Sequence, residues 1–232
     1  MAKITIVLPC YNPEINWYAN ATNSFRAIES QFPNHLFQLI IVNDGSSKPV
    51  LTETEIASLP PQIKFINSSV NEGKGATLRK GMAAAESDFY IYTDIDFPYT
   101  NESVFCLIEK LLTQKINIVA GVRDNDYYKI VPPFRKKLSH FLRYWIAKSF
   151  KLKIDDTQCG LKGFDNIGKA IFMQTTINRY LFDLEFIFLA SNNNEIRIEA
   201  LPVKLKEGVI FSKMNLKILA TEGLNFLKIL LK

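Results

Sequence analysis

Asp94 and Asp96 stand one residue apart at the end of the run FYIYTDID, residues 89–96. The residues before them are nearly all β-branched or aromatic, the make-up of a buried strand. Side chains two apart on a strand share a face, so the pattern predicts two carboxylates aimed the same way at the strand's end. Like charges that close repel unless a proton or a cation lies between them. A hard divalent cation, Mg²⁺ or Mn²⁺, suits the pair, because such an ion takes one or two carboxylates together with phosphate oxygens. It would neutralise a leaving diphosphate. The plainer alternative is a strand-end turn with two solvated carboxylates.

Three more polar clusters follow strand-like runs: PCYNP at 9–13, NDGSS at 43–47 and NEGKG at 71–75. Each alone reads as a turn or loop. Together, at the ends of successive strands, they describe a nucleotide diphosphate site. Tyr11 can lie against a base, Asp44 can accept from a base N–H or sit near the ribose, and Lys74 is a cation within reach of the phosphates. NEGKG is not a P-loop, since no Ser or Thr directly follows the lysine, and no GxGxxG fingerprint follows the first strand. P-loop NTPases and ordinary dehydrogenases are therefore disfavoured.

The elements that must position these groups alternate. Strand patterns at KITIVLP, FQLIIVN, IKFIN, DFYIYTD and INIVAGV are separated by helical stretches: Glu14 to Gln31, TETEIASL with Thr52 as its cap, ATLRKGMAAAE, and NESVFCLIEKLLTQ opened by Asn101. Such βα alternation predicts a doubly wound, mostly parallel sheet with helices on both faces. Ligands then bind beyond the carboxyl ends of the strands, where the clusters fall. After about residue 125 the pattern turns irregular: a basic aromatic segment, a loop with a short strand (DTQCGLKGF), two helical stretches, a strand (IRIEALPV) and a C-terminal helix. No linker is visible. We read one domain over 1–232, with a nucleotide-sugar half at 1–125 and an acceptor half at 126–232.

The chain has 232 residues, of which 47% are hydrophobic, enough to bury a core and unlike a disordered chain. Its net charge of +5 and pI of about 9.0 suit anionic partners. Cys10, Cys106 and Cys159, scattered and odd in number, lack metal-ligand spacing and fit a reducing compartment. His35 and His140 are isolated and receive no role. The sequence enters a strand pattern at once, which reads as no signal peptide. No apolar run reaches the roughly 18 residues of a membrane span. The expectation is a cytoplasmic protein, soluble or peripheral on the inner face of the membrane.

The series PCYNP, VNDGSS, NEGKG and TDID resembles the family 2 glycosyltransferases, and the likeness covers most of the chain. GVRDND followed by FRKKLSHFLRYW resembles the polyprenyl-phosphate sugar transferases of that family. DTQCGLKGF and YLFDLEF are similar to the dolichyl-phosphate glucosyltransferases. The resemblance implies a glycosyltransferase A-type fold, an Asp-x-Asp metal motif at Asp94 and Asp96, and transfer with inversion, with UDP-glucose as donor. It implies that Arg123, Arg135 and Ser139 face the donor and acceptor phosphates and that Asp156 and Gln158 line the sugar side. Pro9, Asn12 and Gly73, within the clusters above, and Glu14, directly after the first, join Tyr11, Asp44, Lys74 and Asp94 in the nucleotide-binding set. One departure stands out. Two residues beyond Asp96 is Pro98, where relatives can offer a polar neighbour to the metal.

The acceptor side has a physical argument of its own. Lys129 to Lys153 contains eight basic residues and no acid, interleaved with Phe134, Leu138, Phe141, Leu142, Trp145 and Ile146. A basic amphipathic helix suits an anionic membrane surface or a lipid phosphate. The same spacing also describes a helix packed on the sheet by its aromatic face. For Arg123 the alternative is a surface salt bridge. A phosphate monoester, with a second pKa of about 6, arrives largely ionised, whereas a hydroxyl acceptor needs a general base; Asp156, Asp183 and Glu185 are the candidates. Expected partners are a nucleotide diphosphate sugar, a polyprenyl phosphate and an anionic membrane, with no nucleic acid and a homo-oligomer left open. The rivals are a family 2 enzyme acting on a glycan hydroxyl, a sugar-nucleotide nucleotidyltransferase, and a non-catalytic nucleotide-binding module. PCYNP lacks the glycine-rich basic signature of the nucleotidyltransferase, and the last rival would have less reason to keep both aspartates.

Overall fold

A computed structural model describes residues 1–123, 137, 139, 143–146, 148–150, 152–209 and 216–231, with the backbone alone for 216–221. The strands are β1 (Lys3–Cys10), β2 (Leu36–Asp44), β3 (Ile63–Ser68), β4 (Phe89–Tyr92), β5 (Ile118–Arg123), β6 (Lys162–Asp165) and β7 (Ile198–Val203). They form one seven-stranded sheet in the order β3-β2-β1-β4-β6-β5-β7. The pairs β1–β2, β2–β3, β1–β4 and β5–β7 are parallel. The short strand within DTQCGLKGF is β6, inserted antiparallel between β4 and β5. The mostly parallel α/β sheet expected from the alternation is therefore present.

The helices are α1 (Trp17–Gln31), α2 (Glu53–Ala57), α3 (Lys74–Ala83), α4 (Asn101–Thr113), α5 (Asn166–Phe172), α6 (Phe182–Ser191) and α7 (Leu216–Leu230). Thr52 caps α2 in a reciprocal capping box with Glu55. The cap of α4 is Thr100 rather than Asn101, its side chain accepting from the Ser103 N–H. α1 begins at Trp17, three residues later than the sequence pattern suggests, because Asn12 to Asn16 turn across the end of the sheet.

Alternation along the strands divides the core in two. Ile4, Ile6 and Leu8 of β1 face α1 and α4, meeting Phe25, Ile28, Leu107 and Ile108. On the other face, Val7, Tyr90 and Tyr92 meet Leu78 and Met82 of α3 and Phe172, Phe182 and Phe186 of α5 and α6. Phe164 of β6 joins this second cluster, 5.3–6.2 Å between ring centroids from Tyr90, Tyr92, Phe172 and Phe186. Gly81 lets α3 approach the sheet, for a Cβ there would lie 2.3 Å from a Val7 methyl.

The fourth strand corrects the alternation argument for the aspartates. It ends at Tyr92, where its pairing with β1 and β6 ends. Asp94 and Asp96 lie beyond it in a turn closed by the Phe97 N–H donating to the Asp94 carbonyl at 3.0 Å. Phe97 holds φ +46° with its side chain 2% exposed. A left-handed backbone at a bulky residue persists only where packing holds it. The anchored ring therefore sets the turn, and with it the direction of both carboxylates.

Candidate active site

The site is built at the carboxyl ends of β1, β2, β4 and β5. Pro9 lies within β1, paired with Val42. Tyr11, just past the strand, is 53% exposed, as an aromatic offered to a ligand would be. Asn12, at φ +45°, ties this loop to the next. Its N–H donates to Ser46 Oγ at 2.8 Å, and its Oδ1 accepts from the N–H and hydroxyl of Ser47 at 2.9 and 3.0 Å.

Asp44 is buried, and both its oxygens are engaged. They accept from the backbone N–H groups of Glu72 at 2.8 Å and Gly73 at 3.0 Å. The carboxylate thus anchors the NEGKG loop from the end of β2. The second and third N–H groups of α3 are also taken: those of Gly75 and Ala76 donate to the Asn178 carbonyl at 2.7 and 3.3 Å. Gly73, at φ +102°, and Gly75 lack room for a Cβ, which would lie 2.6 and 2.5 Å from the carbonyls of Asn178 and Ile177. With the amides of Glu72, Gly73, Gly75 and Ala76 engaged, this glycine loop differs from a P-loop, whose backbone amides meet the ligand, and offers the Lys74 side chain.

Lys74 Nζ donates to Asp94 Oδ1 at 2.6 Å. Burial works against its ammonium, but the charges of Asp94 and Asp183 outweigh that, and its pKa lies above the usual lysine value. Asp96 is exposed at the tip of the turn. Although the residue is exposed, desolvation by the groups crowding its carboxyl, and then the charge of Asp94, push that carboxyl above the ordinary range, the mark of a site that favours an added positive charge. Among the described residues no three His, Cys, Asp or Glu side chains gather as a metal cage. Two hard carboxylates in one turn still fit a divalent ion that completes its shell with phosphate and water.

Behind this turn stands the DTQCG loop. A Cβ on Gly160 would lie 2.6 Å from Asp94 Oδ2, so this glycine allows the carboxylate its place. The Gly160 N–H donates to the Tyr99 hydroxyl at 2.9 Å. Arg123, the last residue of β5, grips Asp156 with Nε at 2.7 Å and Nη2 at 2.6 Å, and its backbone N–H adds a third bond at 2.9 Å. Burial raises the Asp156 carboxyl, but the Arg123 hydrogen bonds and charge prevail and hold it below the usual range. The Gln158 N–H donates to the same carboxylate at 3.2 Å. Arg123, Asp156 and Gln158 are thus one unit. Ser139 is half-buried and helical. Arg135, like Lys129, Lys136 and Lys151 of the basic segment, lies outside the described residues.

All three carboxylates proposed as general bases are bound. Besides Asp156 in its grip by Arg123, Asp183 Oδ1 accepts from Lys162 Nζ at 2.6 Å and from the Tyr92 hydroxyl at 2.5 Å. Glu185, fully buried, accepts from the N–H groups of Thr176 at 2.9 Å and Ile177 at 2.8 Å and from the Thr176 hydroxyl at 2.9 Å. With Arg79, which donates to Thr175 Oγ1 and the Ile177 carbonyl, it holds the loop on which Gly73 and Gly75 rest.

Sequence reasoning missed Lys162, Arg79 and Lys206. Lys162 spends its three donors on Asp183 and on the carbonyls of Thr157 and Cys159, 3.0 and 2.7 Å away. A lysine inside the apolar run CGLKGF signals a buried ammonium, but its acid, 21 residues on, cannot be read from the string. Lys206 follows β7 and reaches the site by pairing: its N–H donates to the Pro98 carbonyl at 2.8 Å, beside the Tyr99–Leu205 bridge. It lines a groove of about 420 Å³ with Glu14, Asn20, Asn23, Ser24, Asp96 and Asn101.

A profile described as "Glycosyl transferase family 2" matches residues 5–182, from β1 through the first residue of α6. The chain belongs to that family. Among its relatives, dolichyl-phosphate beta-glucosyltransferase ALG5A of Trichomonas vaginalis is 29% identical over 97% of this chain and 72% of its own length. The dolichyl-phosphate beta-glucosyltransferase of Saccharomyces cerevisiae is 25% identical, covering 93% of this chain and 70% of its own. That of Dictyostelium discoideum, also 25% identical, covers 82% and 63%. Solved structures share the fold. Glucosyl-3-phosphoglycerate synthase from Mycobacterium tuberculosis, in complex with Mn²⁺, UDP and phosphoglyceric acid, superposes with a TM-score of 0.60 at 18% identity, over 99% of this chain and 78% of that one. A mannosyltransferase from Pyrobaculum calidifontis, in complex with GDP-Man and Mn²⁺, gives a TM-score of 0.57 at 14% identity, over 87% and 55%. The architecture of this family 2 member is the glycosyltransferase A type.

Proposed function

We propose that this family 2 transferase moves glucose, with inversion, from UDP-glucose to a polyprenyl phosphate at the cytoplasmic face of a membrane. The observation that carries the reading is the fate of Asp156, Asp183 and Glu185. Each is bound by a cation or by backbone N–H groups, and none is available to take a proton from a hydroxyl. An acceptor that arrives ionised needs no such base. The names of the curated relatives support the glucosyl donor and the lipid phosphate.

In this reading a phosphate oxygen of the acceptor attacks the anomeric carbon from the side opposite the nucleotide. The bond from that carbon to the diphosphate breaks, and the diphosphate leaves with the electron pair. Asp94 and Asp96 would hold Mg²⁺ or Mn²⁺, which when bound neutralises charge on the leaving group. Lys74, raised in pKa and fixed on Asp94, keeps a full positive charge at that end. Asp156 fixes the plane of the Arg123 guanidinium, so that Arg123, with Arg135 and Ser139, positions the phosphates. Tyr11 and the loop tied by Asn12 and Asp44 receive the nucleoside.

A glycan hydroxyl acceptor is the second reading. It is favoured by Glu14 and Glu207, exposed carboxylates in the same groove as Asp96. Purified protein offered a panel of sugar nucleotides with polyprenyl phosphate, with oligosaccharide, or with neither separates the two. Transfer that requires the lipid phosphate, with an inverted anomer in the product, is expected. Transfer to oligosaccharide alone would overturn the proposal.

A further inference from the structure

Lys206 is half-buried beside the aspartate turn and makes no ion pair among the described residues. Its Nζ donates to Ser24 Oγ at 3.1 Å and lies 5.9 Å from the centroid of the Phe97 ring. Phe97 is the left-handed residue that directs Asp94 and Asp96. The backbone leaves Lys206 little freedom. The Thr100 N–H donates to the Lys204 carbonyl at 2.9 Å and the Lys206 N–H to the Pro98 carbonyl, so a short antiparallel pairing clips residues 204–206 to 98–100. Ser24 of α1 then holds the tip of the side chain. Burial lowers the pKa of the ammonium, and the charge of Asp96 opposes that shift. A partly desolvated ammonium with one neutral hydroxyl partner is an incomplete arrangement.

The groove around it supplies the rest of the argument. Among the described residues, Glu14, Asp96 and Glu207 put three carboxylates there against this single ammonium, and Asn20, Asn23 and Asn101 add neutral amides. An oxyanion enters such a groove together with a cation, and Lys206 is then the charge that meets the oxyanion. Lys74 already stands on the Asp94 side of the turn. We propose that Lys206 is a phosphate-positioning residue on the Asp96 side of the site, holding an oxyanion of a substrate phosphate opposite Lys74. The proposal rests on the phosphate-transfer reading above. The oxyanion has two sources, the diphosphate of the donor and the phosphate of the acceptor.

The experiment measures three affinities by calorimetry in Mn²⁺: UDP, uridine, and farnesyl phosphate in detergent. It does so for wild type, Lys206→Met and Lys206→Arg, with thermal melts alongside. Loss of a charge-assisted contact is expected to weaken one phosphate ligand by about tenfold or more in Lys206→Met. Uridine binding and the melt should stay as in wild type, and Lys206→Arg should recover most of the loss. A loss on UDP assigns Lys206 to the donor diphosphate; a loss on farnesyl phosphate assigns it to the acceptor. Unchanged affinity for both overturns the proposal. So does an equal loss on uridine that Lys206→Arg does not repair, since that marks a merely structural lysine. If wild type itself binds UDP no better than uridine, the diphosphate reading of the whole site falls, an outcome distinct from a failure of Lys206 alone.

Discussion

Asp96 and Asp156 lie at the same end of the sheet, yet their surroundings push their carboxyl groups in opposite directions. Burial and the charge of Asp94 raise Asp96; the grip of Arg123 overcomes burial and lowers Asp156. The ionised form of Asp96 is therefore unfavourable in the fold. Asp96→Asn should leave the melting temperature unchanged or slightly raised while abolishing Mn²⁺ binding in the presence of UDP, as read by electron paramagnetic resonance. A clear drop in melting temperature would show the side chain to be structural. Asp156→Asn should do the opposite. It breaks the ion pair between Asp156 and the Arg123 guanidinium, 11% exposed, a loss of about 3–5 kcal/mol for a broken buried pair, measurable by urea unfolding. The pH dependence has a definite sign. The folded pKa of Asp156 lies below its unfolded value, so the stability that the pair contributes is fully present above that unfolded value, about 3.9. It is lost as pH falls through the folded value. The gap between wild type and variant should be constant from neutral pH to about 5 and narrow in stronger acid. A gap that instead widens in acid would contradict the assignment.

At the scale of elements, two glycines make contrasting predictions. The loop from Asp156 to Gly160 is pinned by Arg123, Tyr99 and Lys162, and it delivers Gly160 against Asp94. A methyl group there would push on Asp94 Oδ2 and disturb its bond to Lys74. Gly160→Ala should cut turnover by about a hundredfold, the scale of a misplacement near 1 Å, with the helices intact by circular dichroism. Normal turnover would mean that Asp94 can shift without cost. Gly223, exposed within α7, has nothing within 4 Å of its Cβ position among the described residues. Gly223→Ala should stabilise the fold by about 0.5–1 kcal/mol through helix propensity and leave turnover alone; a lower melting temperature would show that α7 needs the glycine.

On the scale of the molecule, the proposed nucleotide and acceptor halves share one sheet, since β5 of the first is flanked by β6 and β7 of the second. A row of exposed apolar groups lies on α7 and just past it. Leu224, Leu227 and Leu231 are 63%, 55% and 89% exposed and follow helical spacing along the end of the chain. Phe226 of α7 packs on Phe150, 5.6 Å between centroids. Tyr144 and Trp145 are exposed as well, and Lys148 stands over the Trp145 indole. Among the described residues no helix is long and apolar enough to cross a membrane. The combination of leucines, interfacial aromatics and lysines supports the proposed contact with an anionic bilayer. Leu224→Ser combined with Leu227→Ser should weaken binding to anionic vesicles by at least about tenfold, given roughly 1.5–3 kcal/mol for burying each leucine. The loss should persist at high salt, whereas the contribution of Lys148 and Lys228 fades there. Undiminished vesicle flotation of the double variant would remove α7 from the contact.

The amino-acid order alone determined the βα alternation, the four polar clusters at strand ends and the aspartate pair, because strand period, turn chemistry and like-charge spacing are local properties. The Thr52 cap was legible for the same reason. Tertiary structure decided which carboxylates remain available. Asp156, Asp183 and Glu185 look alike as residues, and only the approach of Arg123, Lys162 and the Thr176–Ile177 backbone separates them from Asp96. It also decided the direction of the aspartates, which a buried Phe97 ring sets instead of the pleat of β4. Lys206 was invisible for the same physical reason. Its neighbours Ser24 and Phe97 lie more than 100 residues away in the chain, and only pairing across the sheet's end brings charge, hydroxyl and ring together.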